Sequence, residues 1–276
     1  MTQWLPRWGI TCDWLESDTT DWQQAVRPNT KMLFIETPSN PGLDIIDLEA
    51  AGRFAKHNNL IFNVDNCFAT PYLQQPAQFG ADLIVHSSTK FLDGQGRVLG
   101  GVVAGRADLM AEVKKFCRST GPSLSPFNAW ILSKSLETLA VRLDRHCDNA
   151  LALAKYLSAH DQVLQVRYPF LDSHPASAVA RRQMKNGGGL VTFEVKGGLE
   201  QGRRFLDALQ MLSLSANLGD TRSIATHPAS TTHAKMTPDA RRESGITDGL
   251  IRISTGLEHI DDIISDIDQA LKISKV

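Results

Sequence analysis

The chain has 276 residues, 42% hydrophobic and 21% charged, with a formal net charge of −1. That length and balance support a genuine hydrophobic core and exclude a disordered chain. No basic excess draws the chain to nucleic acid or an anionic membrane, so both are set aside as partners.

In chain order, Met32–Glu36 (MLFIE) is a short apolar run that stops at the turn-forming Thr37-Pro-Ser-Asn-Pro41. Residues 44–57 follow with helical spacing, Ile45, Leu48, Gly52 and Ala55 on one stripe and Asp44 as the expected N-cap. Leu60–Val64 is a strand ending at Asp65, and Ala81–His86 is another that breaks into Ser87-Ser88-Thr89-Lys90. Val98–Gly105 is also strand-like. Short apolar strands joined through helices predict a parallel sheet buried on both faces. Ligands of such sheets sit past the carboxyl ends of the strands, where Asn40, Asp65 and Ser87–Lys90 fall. Residues 126–160 read as one long helical stretch. Beyond it, Gln162–Tyr168, Gly189–Val195 and Leu250–Ser254 read as strands, and Glu200–Gln210 and Thr237–Arg242 as helices. Ile260, Ile263, Ile264, Ile267 and Leu271 stripe a closing helix. Residues 1–145 are thus expected to form a large α/β domain, and 146–276 a smaller α+β one, with the long helix across the boundary.

Cys12, Cys67, Cys117 and Cys147 form no CxxC pair and read as free thiols of a reducing compartment. No apolar run approaches the ~20 residues of a membrane span. The opening MTQWLPRWGI has no signal-peptide pattern, so a cytoplasmic location is expected. Trp4, Trp8, Trp14 and Trp22 crowd this end. His227 and His233 share a loop but gather no third ligand, so no metal is expected.

The chemistry concentrates in His86–Lys90 (HSSTK). A lysine amine becomes a nucleophile when its ammonium is destabilised, and then condenses with aldehydes. Pyridoxal phosphate (PLP) is an aldehyde bearing a phosphate, and alternating Ser87 and Thr89 hydroxyls can face one anion. Taken alone, such a turn more often holds a surface lysine. Asp65 at the neighbouring strand end changes the weighing, because a carboxylate there keeps a pyridine nitrogen protonated.

The stretches ETPSNP (Glu36–Pro41), VDNCFATPYLQQP (Val64–Pro76), GADLIVHSSTKFLDGQGRVLGG (Gly80–Gly101), GPSLSPFNAWILSKSLETLAVR (Gly121–Arg142), SANLGDTRSIATHPASTTH (Ser215–His233) and LIRISTGLEHIDDIISDI (Leu250–Ile267) resemble the Cys/Met-metabolism family of PLP enzymes. The resemblance implies a fold type I (aspartate-aminotransferase-like) α/β architecture and PLP as cofactor. It implies Lys90 as the Schiff-base lysine, Asp65 at the pyridinium nitrogen, Ser87 and Thr89 on the phosphate, Asn40 near the phenolic oxygen, and Arg252 on the substrate carboxylate. It also implies Asn217 at that carboxylate. The DGQGRVLGG and TGPSLSPFNAW stretches resemble O-succinylhomoserine sulfhydrylases most, which implies γ-replacement by sulfide to give homocysteine, with a cystathionine or methionine lyase of the same family, or a non-catalytic remnant or partner subunit, as alternatives. A homotetramer built from dimers is implied as well. An N-terminal arm, a Gly-Met helix start for the phosphate and a ring-stacking Tyr belong to the family pattern and match nothing here; Tyr72, Tyr156 and Tyr168 lie in other contexts. The resemblance therefore implies a large domain truncated at its N-terminus, with weakened PLP binding and an exposed apolar sheet surface.

Overall fold

Strands β1 (Met32–Glu36), β2 (Ile61–Asp65), β3 (Leu83–Ser87) and β4 (Gly101–Gly105) form one sheet in that order. The first three run parallel and β4 runs antiparallel to β3. The coordinates are a computed structural model that describes residues 4–16, 21–231, 234–237, 239, 241 and 245–276. In β1 the side chains alternate: Leu33 and Ile35 pack with Phe62 and Val64 of β2 against helix α1 (Leu48–His57), whose Leu48, Ala51 and Ala55 close this core.

Helix α1 starts later than its spacing predicts. The cap is Asp47, which accepts from the Glu49 and Ala50 N–H groups. Asp44 is taken by the preceding loop, where Ser39 Oγ donates to its carboxylate at 2.8 Å and accepts from its N–H at 3.0 Å.

The expectation of a sheet buried on both faces fails at the sheet edges. The face opposite α1 carries Met32 and Phe34, 43% and 40% exposed, and every residue of β4 is exposed. On the same face Asn63 and Leu83 are buried, at 7% and 8%, so the exposure lies at its edges. Helix α3 (Ala107–Thr120), which periodicity did not single out, contains no buried residue.

The 126–160 stretch is two helices, α4 (Pro126–Leu136) and α5 (Leu139–Ser158). The Ser135 carbonyl accepts from the Thr138 N–H and from the Arg142 guanidinium, which interrupts the helical ladder there. Short helices α2 (Thr70–Leu73) and α6 (Ser177–Gln183) lie outside the sheets.

The second sheet has the order β5-β6-β9-β8-β7, from β5 (Val163–Arg167), β6 (Leu190–Val195), β7 (Ser213–Leu214), β8 (Ile224–Thr226) and β9 (Leu250–Ser254). Helices α7 (Gly198–Ala208) and α8 (Ile260–Ile273) cover it, and Ile263, Ile267 and Leu271 of the predicted stripe are fully buried. The short strands β7 and β8 escaped sequence reading, because two and three residues carry no readable alternation. The helix expected over 237–242 falls partly outside the described residues, as does His233. All four cysteines are free thiols. Among the described residues no helix is long and apolar enough to cross a membrane, and no three His, Cys, Asp or Glu side chains converge as a metal site.

Helix α5 joins the two halves. Its Leu139, Leu143 and Cys147 pack with Phe91 and Leu92, while Ala150, Leu153, Ala154 and Leu157 pack into the core of the second sheet. His146 lies at the changeover, fully buried, edge-on to Phe91 with Nδ1 2.6 Å from the Thr255 carbonyl. Burial pushes its pKa down from 6.5 to about 4. The unfolded chain therefore binds a proton between those values that the folded chain refuses. Stability is intact above pH 6.5 and falls progressively as pH drops through 6.5 toward 4, by about 3 kcal/mol in total from this group. Denaturant unfolding at pH 7 and pH 4.5 measures it, and a His146→Gln variant should show a flatter dependence.

Candidate active site

The strand ends set the site. Asp65 is the last residue of β2 and Ser87 the last of β3. Because Asp65 pairs with Val85, Ser87 lies on the same sheet face two residues further on. The chain then enters a tight irregular turn, Ser88–Leu92, in which Lys90 has a non-helical backbone (φ −89, ψ −136). Arg142 holds the turn from behind, donating to the carbonyls of Phe91 and Leu92.

Lys90 Nζ donates to Asn217 Oδ1 at 2.5 Å. Burial, and next the Arg252 charge, lower the pKa of the amine. This is the environment that makes a lysine nucleophilic. Arg252, in β9, is 5% exposed. Its guanidinium donates to Asn40 Oδ1 at 2.8 Å and to the carbonyls of Ala216 and Asn217 at 3.1 and 3.3 Å. Those partners are neutral, and among the described residues no carboxylate pairs with it. Burial lowers its pKa to about 10. A buried guanidinium with an uncompensated charge is a ready receiver for an anion.

The structure thus brings Lys90, Asn217, Arg252 and Asn40 into one hydrogen-bonded chain that crosses between the two sheets. Asn217 touches both cations, through Oδ1 to the lysine and through its carbonyl to the arginine. Asp65 accepts from the Cys67 N–H at 3.0 Å, a turn of the kind aspartates form with the residue two on. Thr89 is placed differently from the picture of two free hydroxyls. Its Oγ1 accepts from the Gly100 N–H at 3.1 Å and donates to the Gly100 carbonyl at 3.4 Å. The second bond is long enough that the hydroxyl hydrogen can turn to an anion at little cost. Ser88, between them, is fully buried and its Oγ has no partner.

Sequence reading assigned no role to Glu36, the last residue of β1. It pairs in register with Asp65 and stands on the same face. Burial first, and then the neighbouring Asp65, push its pKa up to about 7. The signal was available: a charged residue ending an apolar strand at the same level as Asp65.

This donor set fits PLP in kind: an acid at one strand end, hydroxyls at the next, a depressed amine after them, and a buried unpaired cation facing that amine. A model of the Cys/Met metabolism PLP-dependent enzymes matches residues 1–272. The chain belongs to that family. PLP is its cofactor, and its fold is fold type I. The chain is 47% identical to the O-succinylhomoserine sulfhydrylase of Pseudomonas aeruginosa, an alignment that covers 98% of this chain and 67% of the relative. It is 41% identical to an L-methionine gamma-lyase of Fusobacterium nucleatum, covering 99% and 70%. The crystal structure of cystathionine gamma-lyase from Lactobacillus plantarum, complexed with L-serine, superposes with a TM-score of 0.94 at 32% identity, covering 98% and 71%. The coarse chemistry follows: PLP-dependent γ-elimination or γ-replacement in sulfur amino-acid metabolism.

Gly219 of this family member holds the Asn217 loop against the lysine turn. Its φ is +79, and an added Cβ would stand 2.6 Å from the Phe91 nitrogen and 2.9 Å from the Lys90 carbonyl carbon. Gly219→Ala is therefore strained on both counts. We expect a stability loss of about 2 kcal/mol and, because the amine is displaced, a kcat/KM lower by about 100-fold. Thermal melting and steady-state kinetics measure the two effects.

Proposed function

We propose that the chain performs γ-replacement on O-succinylhomoserine with sulfide, releasing succinate and forming homocysteine. Residues 1–145 then form the cofactor-binding portion and 146–276 the smaller domain that carries the substrate arginine. When bound, PLP supplies an aldehyde for the lysine and a ring that draws electrons from the substrate α-carbon.

Lys90 Nζ holds the cofactor and, once released from it, takes the proton from the substrate Cα. Burial and the Arg252 charge lower its pKa, which favours the neutral amine that accepts that proton. Asp65 would hold the proton of the ring nitrogen, Ser87 and Thr89 would donate hydroxyl hydrogens to the phosphate, and Asn40 would hold the phenolic oxygen. Arg252 grips the substrate α-carboxylate with its planar fork, and Asn217 orients the lysine and flanks that carboxylate. Assembly as a homo-oligomer in the cytoplasm belongs to the same reading.

The observation that carries the proposal is the buried, acid-free Arg252 joined through Asn217 to the depressed Lys90. The sulfhydrylase preference rests on the 47% identity to the Pseudomonas aeruginosa relative. The test supplies purified protein and PLP with O-succinylhomoserine, with and without sulfide, and separately with cystathionine and methionine. Homocysteine formed only with sulfide supports the proposal. Ammonia and a 2-oxo acid released without sulfide would assign a lyase instead, and absence of turnover on all three amino acids would sink the catalytic reading.

A further inference from the structure

Residue 67 lies between the two strand ends that carry Asp65 and Ser87, and both are tied to it. Its N–H donates to Asp65 Oδ1 at 3.0 Å. Its Sγ accepts the Ser87 N–H at 2.7 Å. The second bond answers a specific need of the sheet. The β2–β3 pairing ends where the Asn66 N–H donates to the Val85 carbonyl. Past that point β2 turns away into the 66–74 loop, which Asn66 anchors through bonds to the Thr70 and Gln74 carbonyls. On the opposite edge of β3, the Ser88 N–H donates to the Gly100 carbonyl. The Ser87 N–H therefore points toward the vacated β2 lane, where no main-chain acceptor continues. The Cys67 thiol fills that place.

Burial first, and then the neighbouring Asp65 carboxylate, push the pKa of the thiol up to about 12, so it stays an S–H group. It is neither a nucleophile nor simple packing.

We propose that Cys67 is a positioning residue that links the acid of the ring end to the hydroxyl of the phosphate end: its N–H, donor to Asp65, and its thiol, acceptor from the Ser87 N–H, fix the separation between them. The inference rests on the reading of Asp65 and Ser87 as cofactor ligands. One consequence is specific. A ligand bearing both ring nitrogen and phosphate feels that separation, whereas pyridoxal, which lacks the phosphate, feels only the Asp65 end.

The test measures binding of PLP and of pyridoxal to apo protein by absorbance titration, with borohydride fixation and peptide mass locating the label. Cys67→Val keeps the shape and the main-chain bond to Asp65 but removes the acceptor for the Ser87 N–H; Cys67→Ala is the second variant; Cys67→Thr restores an acceptor. We expect PLP affinity to fall about three- to tenfold in the Val and Ala variants, pyridoxal affinity to change less than about twofold, and the Thr variant to regain the preference for PLP over pyridoxal. Wild-type protein that fixes PLP on Lys90, with the Val and Ala variants keeping the same PLP-to-pyridoxal preference, overturns the Cys67 proposal alone. Equal losses for both ligands in all three variants, tracking a lower melting temperature, assign Cys67 to packing and overturn it too. Wild-type protein that fixes no PLP on Lys90 overturns the parent reading, and the proposal with it.

Discussion

Lys90→Ala is expected to lower turnover by at least about a thousandfold, because one amine both captures the aldehyde and moves the substrate proton. The fold should survive the change. Among the described residues the amine's one hydrogen bond is to Asn217 Oδ1, and burial already disfavours its charge. Unfolding free energy should therefore move by less than about 1 kcal/mol. The checks are paired: steady-state rate and thermal melting on one preparation, and borohydride fixation followed by peptide mass on another. Wild-type protein should yield a labelled peptide spanning Lys90, and the variant none. A variant that turns over within tenfold of wild type would show that the proton moves through another group.

Arg252→Gln is expected to act on substrate capture rather than on the fold. The guanidinium is buried among neutral acceptors, so in the free protein its charge is a cost. Glutamine keeps some hydrogen bonding and removes that charge. Melting temperature should hold or rise, while kcat/KM falls by about 100- to 1000-fold, mostly through KM. Arg252→Lys should not rescue, since a point charge cannot reproduce the two-pronged grip on a carboxylate. A variant that loses kcat at unchanged KM, with a lower melting temperature, would instead make Arg252 a structural residue.

What could be read in the sequence was the level at which each strand stops. MLFIE ends at Glu36 as expected, and the strand expected to stop at His86 runs one residue further to Ser87, because an apolar run that meets a polar, turn-forming cluster has few other solutions. That alone put Asp65, Ser87 and Lys90 at one end of a sheet. Family motifs were needed for Arg252 and Asn217, which lie far along the chain and reach Asn40 and Lys90 only through tertiary folding. Asp44 was the expected cap of α1, but Ser39 occupies its carboxylate and Asp47 caps the helix instead. Cys67 reads as packing in sequence, because nothing local reveals that the thiol completes an edge that β2 abandons. The exposure at Met32 and Phe34 was equally hidden from periodicity, since continuous apolar strands look alike whether one face or both are covered.

Helix α5 is a rod of about 30 Å, and its two ends are embedded in different cores. The amine sits on a turn packed against one end, while the guanidinium sits in a sheet packed against the other. Neither core can loosen without releasing a flank of the same rod. The chain should accordingly absorb heat in a single calorimetric peak, with van't Hoff and calorimetric enthalpies in agreement. Solvent-exchange protection should also be lost at Leu143 and Leu153 together. Catalytic alignment is then an all-or-none property of the molecule, inherited from the length and stiffness of one helix.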